Sequence, residues 1–286
     1  MPLIVILSSV IILLLCPDAA FAWGPAAHLE IGENILKSLS HVAPHVKSVL
    51  SAYPYDFLYG NISADIVVGK NLVRGLKHCH NWKVGFRLLK NADNDAQRAF
   101  AYGYLCHLAS DTIAHNHYIP EMMIRSFSTR TLRHIYWELR FDALVDRAVW
   151  RLPKKISKEA HPGNDLLLDA TIEDTPLSFR TNKTIFSSIM TLHRLNQWHR
   201  MINLLSSRSR WLLSMEEKER FLRHSVESST DVLKCLQNAR CLKKDPTGRH
   251  TISAAMYLRK KLKTAYKHQR DWDNAMQDAL RAVRID

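Results

Sequence analysis

The sequence YLCHLASDTIAHNHY, residues 104–118, contains four potential metal ligands, three of them evenly spaced, in an otherwise apolar, helix-forming stretch. Its apolar residues recur at the three- and four-residue spacing of an α-helix, and no Gly or Pro interrupts it. His107, Asp111 and His115 are four residues apart, so a helix would place all three side chains on one stripe. A neutral imidazole and a carboxylate one turn apart can bind the same Zn²⁺ ion. The stretch therefore predicts a helix that carries a metal site.

A second pair with the same spacing follows in residues 133–140, RHIYWELR. His134 and Glu138 are four residues apart on a helix apolar enough to be buried. The chain has 15 His residues, and six of them fall between His78 and His134. Such clustering of His beside carboxylates indicates metal binding, because isolated histidines are ordinarily spread through a chain.

Further potential ligands lie towards the N-terminus. Asp65 stands in an apolar setting, where an unpaired carboxylate would be costly and something must compensate its charge. The segment KHCHNW supplies His78 and His80, and His28 lies five residues after Trp23. If the mature chain begins at Trp23, the free amine and its own carbonyl can chelate a metal.

Residues 1–22, MPLIVILSSVIILLLCPDAAFA, form an apolar run that closes with an A-x-A motif at Ala20–Ala22. The run is too short for a convincing membrane span and is typical of a signal peptide. We expect cleavage after Ala22, so that Trp23 becomes the N-terminus of an exported protein, periplasmic or extracellular. A retained anchor or a lipoprotein is the alternative.

The whole chain of 286 residues, 47% hydrophobic, can bury a sizeable core. Apolar residues recur with helical spacing, and sustained alternation of period two is absent, so the sequence predicts an all-α multi-helix bundle. The predicted helices are His28 to Leu39, Val46 to Ala52, Val84 to Leu89, Asp95 to Ala114, Thr131 to Val149, Lys183 to Leu205, Met215 to Gln237 and Thr251 to Arg284.

Composition divides the mature chain into two regions. Residues 23–150 form a His-rich, metal-binding catalytic region, and residues 151–286 form a basic helical region expected to pack on the first. Between Arg151 and Asn182, three Pro and one Gly predict a connector or long loop. The formal charge of +13 favours polyanionic partners such as nucleic acid or phospholipid headgroups. The last predicted helix has a basic face, which is usually a solvated surface; its cations are Lys260, Lys261, Lys263, Lys267, Arg270 and Arg281.

Four of the five Cys residues lie in the mature chain. Cys235 and Cys241 flank a short segment that could close a small disulfide loop in an exported protein. Cys79 and Cys106 lack the spacing of a redox pair, and we expect them to be buried thiols, with a second disulfide as the alternative.

The order of the potential ligands is similar to that of the zinc-dependent phospholipase C family, which shares its fold and metal chemistry with the single-strand-specific zinc nucleases. That family is all-α and binds three zinc ions through Trp, His, Asp, His, His-x-x-x-Asp, a further His and His-x-x-x-Glu. The resemblance covers Trp23 to about Arg140. The Zn²⁺ ligands that it implies are Trp23, His28, Asp65, His80, His107, Asp111, His115, His134 and Glu138.

At two positions, more than one His of this chain could correspond to the family's ligand. The bacterial phospholipases and the nucleases place the further His six residues after the Asp, which would select His117. The string around Asp111 looks more like other bacterial relatives and favours His115, which also keeps to the stripe. His80 precedes an Asn-aromatic pair and fits better than His78, which could orient a ligand by a hydrogen bond.

The resemblance implies a zinc-dependent phosphoric ester hydrolase, in which a metal-activated water attacks the headgroup phosphodiester of a phospholipid. Asp65 is the residue considered first for a general-base role. The enzymatic alternative is a single-strand nuclease or nucleotidase on the same scaffold, with nucleic acid as substrate. The other alternative is a non-catalytic, zinc-stabilised exported module that binds an anionic membrane surface or cell-wall polymer.

Overall fold

The computed structural model describes residues 23–67, 79–129, 134–172, 177–193, 211–268 and 271–285. The predicted all-α class is confirmed, because the regular elements in these ranges are helical and none is a strand. The predicted signal peptide lies outside the described residues. The α-helices are α1 (Pro25–Lys37), α2 (Pro44–Ala52), α3 (Pro54–Ser63), α4 (Trp82–Lys90), α5 (Asp95–Ile113), α6 (Ile119–Arg125), α7 (His134–Asp142), α8 (Leu152–Glu159), α9 (Gly163–Thr171), α10 (Phe179–His193), α11 (Met215–Cys235), α12 (Arg249–Lys267) and α13 (Trp272–Arg281).

Helix α5 is the central element of the bundle. It begins at Asn94, whose side chain accepts a hydrogen bond from the Gln97 amide at 3.0 Å. Nearly all of its side chains are buried, because α3, α4 and α11 pack around it. A helix that is apolar on every side has to be enclosed in this way. The two potential ligands on α5 are therefore held deep in the protein.

Helix α3 crosses α5 at two facing glycines, Gly60 and Gly103. A Cβ on Gly60 would lie 1.9 Å from the Phe100 carbonyl oxygen, and one on Gly103 would lie 2.0 Å from the Phe57 carbonyl oxygen. The missing side chains thus allow backbone-to-backbone contact. This close approach brings the end of α3 against the middle of α5.

A π-helical turn, Ala114–Tyr118, joins α5 to α6. Its i→i+5 hydrogen bonding interrupts the four-residue stripe predicted from His107 through His115. The turn begins immediately after Ile113, so His115 leaves the helix that carries the other two potential ligands. The predicted common stripe is confirmed for His107 and Asp111, which lie one turn apart on α5, whereas His115 falls in the π-helical turn.

The C-terminal helices pack on this centre in two places. Helix α11 lies along α5, where Ser229 donates a hydrogen bond to the Cys106 carbonyl oxygen at 3.1 Å. Helices α12 and α13 pack on α6 through a separate small apolar cluster. No helix in the described part of the chain is long and apolar enough to span a bilayer.

The predicted connector between Arg151 and Asn182 is wrong. The described residues of this stretch form α8, α9 and the start of α10. Pro153 stands in the first turn of α8, where its missing amide hydrogen has no intrahelical partner to lose. Pro162 occupies the N-cap of α9. Pro153 and Pro162 therefore begin helices instead of interrupting one, and Pro176 lies outside the described residues.

Two further predictions fail in the C-terminal region. The helix predicted over Thr251 to Arg284 is two helices, and Asp271 caps the second by accepting a hydrogen bond from the Asn274 amide at 3.4 Å. Cys235 and Cys241 are free thiols and form no disulfide. Cys79 and Cys106 are buried thiols, as predicted.

Candidate metal centre

Helix α5 places His107 and Asp111 one turn apart in the interior, both fully buried. His107 Nε2 lies 3.3 Å from Asp111 Oδ2. On the far side of the ring, His107 Nδ1 lies 2.8 Å from the backbone carbonyl oxygen of Asn61 in α3. Because a carbonyl oxygen only accepts, Nδ1 carries the hydrogen, and the lone pair of Nε2 faces Asp111.

His28, on the second turn of α1, is held in the same way. Its Nδ1 lies 3.2 Å from Ser110 Oγ, and that hydroxyl donates its hydrogen to the His107 carbonyl oxygen at 2.8 Å. Ser110 must therefore accept from His28 Nδ1–H. The Nε2 lone pair of His28 then points towards Asp111 Oδ1, which lies 3.4 Å away.

Asp65 and His80 complete the cluster from outside α5. Asp65 lies in the 3-10 turn Ala64–Ile66 that ends α3. His80 Nε2 is 3.2 Å from Asp65 Oδ1, 3.2 Å from Asp111 Oδ2 and 3.0 Å from His107 Nε2. The Tyr104 hydroxyl donates a hydrogen bond to the Cys79 carbonyl oxygen at 2.6 Å and so ties the His80 segment to α5.

The electrostatics of the cluster favour the protonation states of metal ligands. Burial, followed by the proximity of His107, lowers the pKa of His28 to about 4. Burial alone would raise the pKa of Asp111, but positive charge beside it, on His107 foremost, holds that pKa well below its usual range, and a bound cation would supply such charge while the imidazoles are neutral. At neutral pH His28 is thus a neutral imidazole and Asp111 a carboxylate, as metal ligation requires.

The residues fit a zinc ion. They form two overlapping groups, His28 with His107 and Asp111, and Asp65 with His80 and His107, in which potential ligand atoms lie within 4.8 Å of one another. Within the described residues, His28 Nε2 and both Asp111 carboxylate oxygens are buried without a hydrogen-bond partner. Lone pairs that face one another in a dry interior repel, and a buried carboxylate needs a counter-charge. A cation relieves both the repulsion between the lone pairs and the uncompensated charge of the carboxylate. The mixed set of imidazole and carboxylate groups suits Zn²⁺.

His115, His134 and Glu138 lie together as a second set. His134 Nε2 is 3.2 Å from Glu138 Oε1, and the rings of His115 and His134 meet edge to face with centroids 5.0 Å apart. Among the described residues, the potential ligand atoms of this set do not all lie within 4.8 Å of one another, as those of the first cluster's groups do. His115 Nδ1 lies 2.5 Å from the Pro246 carbonyl oxygen, which orients the ring towards His134.

The two alternative ligands are placed differently. His117 turns towards the C-terminal region, with Nδ1 2.9 Å from the Val283 carbonyl oxygen and Nε2 2.7 Å from Lys244 Nζ. His117 thus contacts the C-terminal region, whereas the His115 ring contacts His134, and the choice of His115 as ligand stays a prediction. His78 lies outside the described residues.

Trp23 is fully buried beside the first cluster. Its indole Nε1 donates a hydrogen bond to the Ser110 carbonyl oxygen at 3.0 Å, and the same residue holds His28 through its hydroxyl. Trp23 and His28 are thus positioned by one residue of α5. The role of Trp23 as a zinc ligand stays a prediction.

Two positioning residues were missed at the sequence level. Ser110 immediately precedes Asp111 and reads there as an ordinary small helical residue. Asp142 continues the four-residue spacing of His134 and Glu138, and this signal could have found it. Its carboxylate accepts hydrogen bonds from the Ala26 and Ala27 amides at 3.3 and 3.0 Å, and so caps α1.

An all-α bundle with a buried cluster of three His and two Asp defines the chain as a helical metalloprotein of the zinc-binding kind. Comparison with known families is more specific, because the zinc dependent phospholipase C family model matches residues 27–205, more than half of the chain. The chain therefore belongs to the zinc-dependent phospholipase C family. The match passes Arg140, so the predicted extent of the resemblance was too short at its C-terminal end.

No curated protein and no solved structure matches the chain. Family membership and the two His/Asp groups together support a zinc-dependent phosphoesterase. The matched range begins after Trp23 and ends before α11.

Proposed function

We propose that this protein is a phospholipase C-type phosphodiesterase that hydrolyses the headgroup phosphodiester bond of phospholipids. The observation that carries the proposal is the orientation of His28 and His107, whose Nε2 atoms face the Asp111 carboxylate because their Nδ1 atoms are bonded elsewhere. This arrangement supports a cation site, and the family match supports hydrolysis of a phosphate ester.

We assign zinc ligation to both sets of side chains. The first set is His28, Asp65, His80, His107 and Asp111, and the second is His115, His134 and Glu138. Trp23 would add its amine and carbonyl once the chain is cleaved after Ala22. Bound zinc supplies Lewis acidity and lowers the pKa of a water to near neutrality, so no side-chain nucleophile is needed.

The chain's own residues orient the ligands and move the proton. Asn61 and Ser110 fix the His107 and His28 rings by hydrogen bonds at 2.8 and 3.2 Å, and such partners ordinarily tune metal affinity. We assign proton acceptance to the Asp65 carboxylate, which lies 3.2 Å from His80 and 3.9 Å from His28 and so borders both groups.

The aromatic side chains beside the cluster favour a lipid over a nucleotide. Trp23 stacks on Tyr118 with centroids 4.8 Å apart and contacts Phe141 at 4.3 Å, and all three rings are buried. A nucleobase needs an open aromatic face on which to stack. These rings cover one another and, in the described part of the chain, provide no such face.

The test is to produce the chain beginning at Trp23, count bound metals by elemental analysis and assay hydrolysis. The substrates are phosphatidylcholine, phosphatidylinositol, single-stranded nucleic acid and a chromogenic phosphodiester. We expect about three zinc ions per chain and chelator-sensitive turnover, with phospholipids preferred. Asp111→Asn should lower turnover by at least about 100-fold, because it removes a ligand shared by the cluster.

Asp95→Asn is the matched control, since it makes the same chemical change at the exposed start of the same helix. It should leave metal content and turnover unchanged. Preference for nucleic acid would replace the phospholipase assignment with the nuclease. Full zinc content without turnover on any substrate would leave a zinc-stabilised binding module.

A further inference from the structure

Helix α12 is a strongly basic element. Its 19 residues, Arg249–Lys267, include no Asp or Glu. Its cations are Arg249, Arg259, Lys260, Lys261, Lys263 and Lys267. A solvated helix ordinarily mixes charges of both signs, because neighbours of opposite charge stabilise it. A helix surface of one sign instead favours a polyanionic partner.

The helix has a buried face and an exposed one. Ala255 and Leu262 are buried against α6 and α13. On the opposite side, Met256 and Tyr257 are each 58% exposed. Lys260, Lys263 and Lys267 follow Met256 at four, seven and eleven residues, a spacing that aligns them on the exposed face; we call these three residues the lysine stripe.

Two large exposed apolar side chains, Met256 and Tyr257, lie at the N-terminal end of the exposed lysines of this helix. The ammonium group of Lys261 lies 4.6 Å from the centroid of the Tyr257 ring. Within the described residues, no lysine of the stripe lies within 4.0 Å of a carboxylate oxygen. The stripe is therefore an uncompensated positive surface with apolar side chains at its N-terminal end.

The same helix is attached to the metal centre at its N-terminus. Gly248, which precedes α12, has φ +56°, and a Cβ there would lie 2.5 Å from His115 Cβ. Thr251 donates a hydrogen bond to the Asn116 side chain at 2.9 Å, within the π-helical turn. Met256 and Tyr257 follow less than two helical turns later, so this surface has a fixed relation to His115.

We infer that the exposed face of α12 docks on anionic phospholipid bilayers, with the lysine stripe over the headgroups and Met256 and Tyr257 in the interface. Lysines near an anionic bilayer attract it, and exposed apolar side chains beside them insert into the headgroup region. The further step, in which docking presents the lipid phosphate to the metal centre, rests on the proposed function. The docking itself does not.

The test is co-sedimentation of the zinc-loaded protein with vesicles of phosphatidylcholine alone and of phosphatidylcholine mixed with phosphatidylserine, at low and high salt. We expect binding to the mixed vesicles that weakens with salt. The triple variant Lys260→Glu, Lys263→Glu, Lys267→Glu should bind them at least about 100-fold more weakly, at about fivefold per lysine. Met256→Ser with Tyr257→Ser should also reduce binding.

The matched control is Lys154→Glu, Lys155→Glu, Lys158→Glu, which makes the same charge change on exposed lysines of α8. It should bind nearly as well as the unchanged protein. Equal losses in both triple variants, or no loss in the stripe variant, would overturn the inference. So would stripe-dependent binding to single-stranded nucleic acid without binding to vesicles.

Turnover of a soluble chromogenic phosphodiester is measured on the same samples. It should be equal in the unchanged protein and in the stripe variant, because the stripe lies outside the metal centre. Stripe-dependent vesicle binding without any turnover would support docking and count only against the proposed function.

Discussion

Asp142 is a buried carboxylate that serves a helix other than its own. It lies at the end of α7 and accepts the Ala26 and Ala27 amides at the start of α1. Gly24, the N-cap residue of α1, has no side chain with which to cap it, and a Cβ there would lie 2.1 Å from Asp142 Oδ2. A single side chain thus fixes the position from which α1 delivers His28.

The cost of burying this carboxylate gives a pH-dependent prediction. Burial raises the pKa of Asp142 from 3.8 to about 7, although the two amides oppose the rise. Between these values the folded protein binds more protons than the unfolded chain, so stability falls as the pH rises. In metal-free protein, the advantage of wild type over Asp142→Asn should fall by about 3 kcal/mol from pH 4 to pH 7.

Urea unfolding at closely spaced pH values measures this difference. Asp146→Asn, an exposed change in the same segment, should follow the wild-type pH profile. A constant difference between wild type and Asp142→Asn across the range would show that Asp142 has an ordinary pKa in the folded protein.

At the scale of elements, the crossing of α3 and α5 sets the distance between Asp65, in the turn that follows α3, and Asp111, on α5. Gly103→Ala would place a methyl group 2.0 Å from the Phe57 carbonyl oxygen, and backbone cannot yield as a side chain can. We expect a loss of about 2 to 3 kcal/mol in unfolding free energy. Zinc affinity should fall as well, because the two helices must separate.

Gly85→Ala is the control for this crossing. Its Cβ would meet Leu105 Cδ2 at 2.7 Å, the far end of a flexible side chain. Thermal unfolding and zinc titration of both variants should show a clearly smaller effect for Gly85→Ala. Equal effects would mean that any added methyl group is harmful and that the crossing has no special role.

The sequence predicted the long helices because burial of one face leaves a periodic signal. It missed α3, α6, α8 and α9. Each of these helices has a Pro in its first turn or at its N-cap, where Pro begins a helix although in sequence it reads as an interruption. It also extended one helix through Asp271, because a break between two helices of similar composition leaves no change in periodicity. Such boundaries depend on tertiary packing.

The pair His107 and Asp111 was foreseeable from spacing, and the other members of the cluster from the order of the family's ligands, but the geometry of the cluster was not. The side-chain series His107, Asp111 and His115 gives no sign of the π-helical turn that separates the third residue from the first two. Similarly, the hydrogen bond from His107 to the Asn61 carbonyl oxygen joins residues 46 positions apart. Contacts of this kind become visible only when the chain is folded.

For the whole molecule, the metal centre lies within one apolar core that extends from Trp23 to Cys241. The proposed ligands on α1, on the turn that follows α3, on α5 and at His80 meet there, so zinc would link parts of the chain that are distant in sequence. Removal of the metal should therefore destabilise the entire protein. An ion bound at 1,000 times its dissociation constant contributes about 4 kcal/mol, or about 10 °C in melting temperature.

Calorimetry with and without chelator measures this contribution. The wild type should melt at least about 10 °C lower in chelator. His45→Ala, at an exposed His on α2, should respond like the wild type, and Asp111→Asn should respond less. A melting temperature indifferent to chelator would show that the cluster holds no stabilising metal.

The carbonyl oxygens that orient the histidines of the π-helical turn come from far along the chain. His115 is held by Pro246 at 2.5 Å, and His117 by Val283 at 2.9 Å. During translation, His115 is synthesised more than a hundred residues before these partners. The nascent chain therefore cannot finish this side of its metal centre during most of its synthesis, and its assembly is a post-translational event.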